Sequence, residues 1–311
     1  MTDEPGEIDV DVDVFEQSEA EQAANPSQRW EHLPSSVMLS LEDADKLLRW
    51  RKASVIAVVG ERNGGKTTLV TEIYERFLRG PFAGVLFSHS LSLLGFEKKS
   101  FQSRAESGAD RPDTPRTSAQ EGLSFFHLGV SDVADLQRTD LLISERAGEV
   151  YREVRDKPEL ATNLIEIRKA AAVVLIIDGE RVADSRKRAG VFASVRNIAR
   201  ALADFGSIGS QAQIQLVTTK CDLLEGDAAA AARDALSEFE KHLTAMLRGK
   251  FALATFRTAA RDPGGNVEPA SGLAPLLRSW LTPPSPPIVD EPHMPVLASE
   301  FDRLLLRGIV R

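Results

Sequence analysis

The octet Gly60-Glu61-Arg62-Asn63-Gly64-Gly65-Lys66-Thr67 constrains this chain more than any other feature, because it satisfies G-x-x-x-x-G-K-[ST]. It follows a short continuous apolar run, Val55-Ile56-Ala57-Val58-Val59, of the kind a parallel strand covered on both faces requires. The residues after it, Thr67 to Arg79, set Leu69, Val70, Ile73, Tyr74, Phe77 and Leu78 on one side of a helix. A strand, a glycine loop and a helix in that order form the context in which the pattern holds phosphate. Glycines let the loop turn back, so that successive amide N–H groups converge on one anion. The free N–H groups and positive dipole end of the next helix face the same point. Lys66 adds a mobile ammonium for the β- and γ-phosphates, and the Thr67 hydroxyl is a hard oxygen ligand suited to Mg²⁺. The spacing predicts a nucleoside-triphosphate cradle contacted by Gly60, Asn63, Gly64, Gly65, Lys66, Thr67 and Thr68.

Strand-like runs recur over 83–87, 123–128, 141–144, 173–177, 214–218 and 251–256, with helical spacing over 147–169, 186–204, 229–247 and 272–281. This alternation predicts an α/β fold of three layers, a mostly parallel sheet with helices on both faces. Residues 88–121 break the rhythm with a long polar stretch that includes Arg111-Pro112-Asp113-Thr114-Pro115-Arg116-Thr117-Ser118. A connection of that length inside a domain is usually functional or mobile. Before the first strand, Ser40 reads as the N-cap of a short helix ending at Trp50. The expected organisation is an acidic disordered tail over 1–35, one nucleotide-binding domain over 36–281, and a proline-rich linker with a C-terminal helix over 282–311.

Composition bounds the class. A hydrophobic content of 42% and a charged content of 27% in 311 residues exclude a wholly disordered or collagen-like chain. The net charge of −8 is concentrated: residues 1–33 hold ten acids against Arg29 alone, so the remainder is nearly neutral. Charge therefore gives no indication of nucleic-acid binding. No apolar run approaches the roughly 18–20 residues of a membrane helix, and the first residues lack a secretory pattern, so a cytoplasmic location is expected. Cys221 is the single cysteine, and with five scattered histidines it offers no zinc spacing. The alternation Ile8-Asp9-Val10-Asp11-Val12-Asp13-Val14-Phe15 reads as disordered or as a docking segment for a basic partner. The cluster Arg186-Lys187-Arg188 with Arg196 and Arg200 reads as a solvated helix face or as a surface for an acidic segment.

A second motif bears on the base. The run Ile214-Gln215-Leu216-Val217-Thr218 leads directly into Thr219-Lys220-Cys221-Asp222, about 150 residues after the glycine loop. A carboxylate at Asp222 can accept hydrogen bonds from N1–H and the 2-amino group of guanine. Adenine offers neither, so such a site rejects ATP by leaving a charge unmatched. Lys220 would lay its aliphatic stem over the ring. A weaker third element, Thr258-Ala259-Ala260, follows the last strand and offers backbone amides to guanine O6.

With these motifs the chain resembles a GTPase of the translation-factor-related (TRAFAC) class of P-loop proteins with Ras-like topology. More narrowly, it is similar to the bacterial double-GTPase families associated with multi-protein conflict systems. The resemblance covers about residues 36–281. It implies GTP and GDP as ligands with Mg²⁺, and other proteins of the same system as partners, including a second GTPase. It implies an extended first switch before the 123–128 strand, with Thr117 (in reserve, Thr114) as the switch threonine on the metal and Arg116 as an arginine finger in cis. The D-x-x-G of the class falls on Glu145-Arg146-Ala147-Gly148, where Gly148 matches and Glu145, one methylene longer, would reach the metal through water. Glu149 stands where Ras-like enzymes carry the glutamine that orients attacking water, and a glutamate can only accept. Both departures bear on hydrolysis rather than binding.

Alternatives stay open. Val173-Val174-Leu175-Ile176-Ile177-Asp178 resembles a Walker B strand, in which Asp178 would serve Mg²⁺ in a P-loop ATPase. The expected function is Mg²⁺-dependent GTP binding with slow hydrolysis that drives a switch. A GTP-loaded scaffold that does not hydrolyse stands beside it.

Overall fold

In the computed structural model, residues 37–105, 122–205, 208–261 and 267–282 are described. The expected tail, the proline-rich C-terminal segment, Thr114, Arg116 and Thr117 lie outside the described residues.

The strand before the glycine loop, β1 (Ala53–Val59), sits in the middle of a seven-stranded sheet. The others are β2 (Val85–His89), β3 (Ser124–Asp132), β4 (Arg138–Glu145), β5 (Ala170–Asp178), β6 (Gln213–Thr219) and β7 (Ala252–Arg257), in spatial order β2-β3-β4-β1-β5-β6-β7. From β4 through β7 every pairing is parallel, whereas β2, β3 and β4 pair antiparallel. The antiparallel flank follows from chain length: only Val133–Gln137 join β3 to β4, too few residues for a crossover. Consecutive parallel strands are instead joined through helices. Because the path from β1 runs to one side first and to the other side later, β1 is the switch point, and the carboxyl ends of β1, β4, β5 and β6 share one edge. In open α/β sheets that edge is where ligands sit.

Side-chain alternation along β1 builds two cores. Ile56 and Val58 face α2 (Lys66–Phe77), Phe96 and α9 (Leu273–Leu281), while Ala57 and Val59 face α4 (Gly148–Asp156), α7 (Ser185–Asp204) and α8 (Ala230–Leu247). A third cluster lies under α1 (Leu41–Trp50), where Ala44 and Leu47 pack on Val55, Phe125 and Leu142. Ser40 caps α1 with a reciprocal Asp43 bond. Among the described residues no helix is long and apolar enough to cross a membrane.

Two expectations are corrected. The long polar stretch is not all loop, since α3 (Leu93–Ala105) occupies its first part. One aromatic anchors that helix: Phe96 stacks between Tyr74 at 4.8 Å and Phe126 at 4.6 Å. The single helix expected over 147–169 is broken into α4, a 3₁₀ turn over Pro158–Asn163 and the short α5 (Ile165–Lys169). Pro158 causes the break, because it lacks an N–H and pushes Lys157 out of helical backbone. A further short helix, α6 (Gly179–Ala183), precedes α7.

The antiparallel flank carries a buried charged group. Asp140 accepts from His127 Nε2 at 3.0 Å and from Arg138 at 2.7 Å, and Arg138 also reaches His89 Nδ1 at 2.8 Å. His89, His127 and Asp140 have the donor atoms of a metal site, but the Arg138 guanidinium already supplies the positive charge there. Burial pushes the Asp140 carboxyl up, and the bonds from His127 and Arg138 more than reverse it, to a pKa of about 2 against 3.8. Its contribution to stability is therefore complete above about pH 4 and is lost as pH falls through 2. Asp140→Asn is expected to lower the unfolding free energy by about 2 kcal/mol at neutral pH. In urea titrations its gap to the parent chain should close between pH 4 and 2, and a gap that stays constant over that range would refute the linkage.

Candidate nucleotide-binding site

The glycine octet leaves the end of β1 and returns into α2. Its close fit explains its glycines: a Cβ on Gly60 would lie 2.8 Å from the Ile176 Cβ, and one on Gly64 3.2 Å from Ile176 Cγ2. Asn63 and Gly65 take left-handed backbone, with φ of 62° and 86°. Lys66, only 8% exposed, donates through Nζ to the carbonyls of Gly60 at 2.9 Å and Glu61 at 3.2 Å. Burial lowers its pKa, and the charges of Glu145, Glu149 and Glu61 partly restore it. Thr68 follows on the first turn of α2, its carbonyl accepting from Thr71 Oγ1 at 3.2 Å.

The Thr67 hydroxyl donates to Glu145 Oε1 at 2.6 Å. The glutamate at the D-x-x-G position thus reaches the helix-start threonine from the end of β4 despite its extra methylene. Three residues on, Gly148 opens α4 directly against the loop: a Cβ there would fall 2.3 Å from Arg62 N and 2.6 Å from Glu61 C. Glu149 points to Arg62, with Oε1 3.7 Å from Nε and both side chains nearly half exposed.

The second motif closes the cradle from the end of β6. Thr219 Oγ1 donates to the Gly64 carbonyl at 2.7 Å, and Lys220 Nζ donates to the Asn63 carbonyl at 3.0 Å. Lys220 has left-handed backbone, φ 51°, and turns the chain into the 3₁₀ segment Cys221–Leu224 that buries Asp222. Burial opposes the Lys220 charge, but Asp178 and Glu180 outweigh it and raise the pKa. The third element joins here as well, because Cys221 N–H donates to the Thr258 carbonyl at 3.1 Å. One detail differs from expectation. The N–H of Thr258 is bonded to Thr218 at 2.8 Å and that of Ala259 to Ser271 at 3.0 Å. Both amides are thus bonded within the protein rather than turned to a base.

Asp178 is held otherwise than a Walker B acid. It bonds Lys220 Nζ at 3.0 Å, lies 3.4 Å from Arg181 Nε and caps α6 through the Glu180 N–H. The carboxylate on the helix-start threonine is Glu145.

Sequence reasoning missed the surroundings of Glu61. Its carboxylate turns away from the cradle and accepts from Arg155 at 2.8 Å, Arg181 at 2.8 Å and Ser194 at 2.7 Å. Burial raises its pKa, and these partners pull it below the usual value. The signal was present: an acid inside an anion-binding loop must turn outward and find cations.

Residues 54–281 match the family described as Double-GTPase 2. The chain belongs to that family. No curated protein matches the sequence. Among solved structures, this Double-GTPase 2 chain is similar to a bacterial selenocysteine-specific elongation factor, EF-Sec, at 14% identity and TM-score 0.36, covering 74% of this chain and 28% of that one. It is also similar to the Methanosarcina barkeri Roco2 RocCORdC bound to GDP, at 14% identity and TM-score 0.36, covering 74% and 49%. A third is the S. cerevisiae Ski7 GTPase-like domain bound to GDP and inorganic phosphate, at 14% identity and TM-score 0.39, covering 77% and 53%. The chain spans from about a quarter to about half the length of these structures.

The contact at Gly148 generates a direct test. Gly148→Ala forces α4 off the loop backbone, and a cost of about 2 kcal/mol in unfolding free energy is expected from overpacking. A thermal melt equal to that of the parent chain would show that the loop and α4 are not in this contact.

Proposed function

We propose that this Double-GTPase 2 domain is a guanine-nucleotide switch that binds GTP with Mg²⁺ and hydrolyses it slowly. The observation that carries the reading is the pair of bonds from Thr219 and Lys220 to the carbonyls of Gly64 and Asn63, because they fix the base motif to the phosphate cradle. On this reading Gly60–Thr68 hold the phosphates, and Lys66 leaves its carbonyls for the β- and γ-phosphates. Asp222 accepts from N1–H and the 2-amino group, and Lys220 flanks the ring. The donor set fits Mg²⁺: Thr67 and Glu145 present hard oxygens 2.6 Å apart. Thr67 would bind the ion directly, Glu145 through water, with a switch threonine (Thr117, or Thr114) completing the set. The ion would offset charge on the β- and γ-phosphate oxygens.

The Gly148 N–H faces the γ-phosphate on this reading, so the presence or absence of that group decides where α4 sits. Arg116 would offset transition-state charge. Partners are other proteins of a multi-protein bacterial system, among them a second GTPase, and the location is the cytoplasm. Titration calorimetry of the full chain with GTP, GDP and ATP tests the base: GTP and GDP are expected to bind about 100-fold more tightly than ATP. Equal affinity for ATP would falsify the guanine assignment. Asp222→Asn should shift preference from GTP to xanthosine triphosphate, because an amide can donate to a 2-oxo group.

The Arg62–Glu149 pair favours a second reading, a GTP-loaded scaffold that does not turn over. Glu149 can only accept from a water, and its ion pair draws it to the loop. Single-turnover phosphate release separates the two readings. The switch reading expects a slow rate that rises at least about tenfold in Glu149→Gln, whereas the scaffold reading expects no release from either protein.

A further inference from the structure

Two glutamates are buried on the helix that starts at the phosphate cradle, and nothing in the reading above uses them. Glu72 is 1% exposed and Glu75 9%. Both face Arg261, whose Nε lies 3.1 Å from Glu72 Oε2 and whose Nη2 lies 3.5 Å from Glu75 Oε1. Arg76 Nε holds the other Glu72 oxygen at 2.9 Å. Arg261 directly follows Thr258-Ala259-Ala260, the segment bonded to Thr218 and Cys221 beside Asp222. A buried ion pair is poor evidence for stability, since desolvation offsets most of the attraction. What it does provide is one geometry: a guanidinium fork shared by two carboxylates fixes the backbone that carries it.

We propose that Glu72, assisted by Glu75, is a positioning residue for base recognition, acting through Arg261 to hold the Ala260 amide against the 6-oxo group of a guanine base. The proposal rests on the guanine reading and deepens it. The N–H groups of Thr258 and Ala259 are already bonded within the protein, so the O6 contact depends on where the chain is held just beyond them. That anchor is α2, whose first residues are Lys66 and Thr67. Glu72 lies about 9 Å further along the axis at 1.5 Å per residue. One rigid helix thereby sets both the phosphate cradle and the O6 amide.

The test is competition binding by the full chain with GTP, ITP and 6-thio-GTP. ITP lacks the 2-amino group that Asp222 reads, and 6-thio-GTP presents a weak sulfur acceptor in place of O6. Arg261→Gln and Glu72→Gln are each expected to weaken GTP and ITP about tenfold, the worth of one hydrogen bond, with the GTP-to-ITP ratio unchanged. Both should also lose the preference for GTP over 6-thio-GTP. The double variant should bind no worse than Arg261→Gln alone, since Glu72 acts through that arginine. If Glu72→Gln fails to fold, Arg261→Gln, at a partly exposed side chain, reads the same ratios. A uniform loss across the three nucleotides, or a retained 6-thio discrimination, overturns the proposal. Should the parent chain bind ATP as well as GTP, the guanine reading falls first and this one with it. A guanine-selective parent with an unaltered Arg261→Gln removes this one alone.

Discussion

A loop that aims its amides at one point must turn its carbonyls the other way, and carbonyls turned into protein need donors. In this chain every carbonyl from Gly60 to Gly64 has a side-chain donor. Lys66 serves Gly60 and Glu61, Arg181 serves Arg62, Lys220 serves Asn63, and Thr219 serves Gly64. Those donors come from α2, α6 and the end of β6, so three elements must meet before the loop can take its shape. The bond of Thr219 is the shortest of the set at 2.7 Å. Gly179 permits the meeting, because a Cβ there would lie 2.3 Å from the Thr219 carbonyl. The glycine loop and the Thr219-Lys220-Cys221-Asp222 run are for this reason one construction.

The same crowding governs charge. Glu61, Glu145 and Asp178 are brought close to Lys66 or to each other by the convergence of strand ends, and each acid meets a donor that matches its place. Glu61 faces Arg155 and Arg181, Asp178 faces Lys220 and Arg181, and Glu145 receives the Thr67 hydroxyl. Glu61 adds the Ser194 hydroxyl to its two arginines, whereas the partner shown for Glu145 is the neutral Thr67 hydroxyl, the arrangement that the proposed reading uses for a divalent cation.

How far the sequence could be read depended on whether its signal was local. The β1–loop–α2 unit, the run into Thr219-Lys220-Cys221-Asp222 and the strand series were legible because period, glycine and apolar runs report on neighbours in sequence. The helix α3 was not, since Phe96 and Glu97 tie a largely polar segment to Tyr74 and Phe126, which are distant in the chain. The break at Pro158 was legible in principle and was overridden by the helical spacing on either side of it. That Glu61 must turn to cations was legible, but which residues meet it, and that Arg261 meets Glu72, was out of reach, because Arg155, Arg181, Ser194 and Arg261 arrive only through the tertiary fold. Where the class expected aspartate, geometry rather than identity decided: the longer Glu145 reaches Thr67 because β4 ends beside β1.

The close approach of Gly148 to the loop has a mechanical consequence. The backbone of Arg62 and the first turn of α4 are in van der Waals contact, with no space for even a methyl group between them. Protein interiors resist such compression, so a group entering at that contact displaces α4 rather than denting it. Arg155 rides on α4 and holds Glu61, and Glu61 is tied in turn to Arg181 and Ser194 on α6 and α7. Displacing α4 therefore breaks or drags a charged link to α6 and α7, its neighbours on the same face of the sheet. On the switch reading, the γ-phosphate need supply only the difference between those two positions, because a rigid helix and a partly buried carboxylate carry the shift away from the loop.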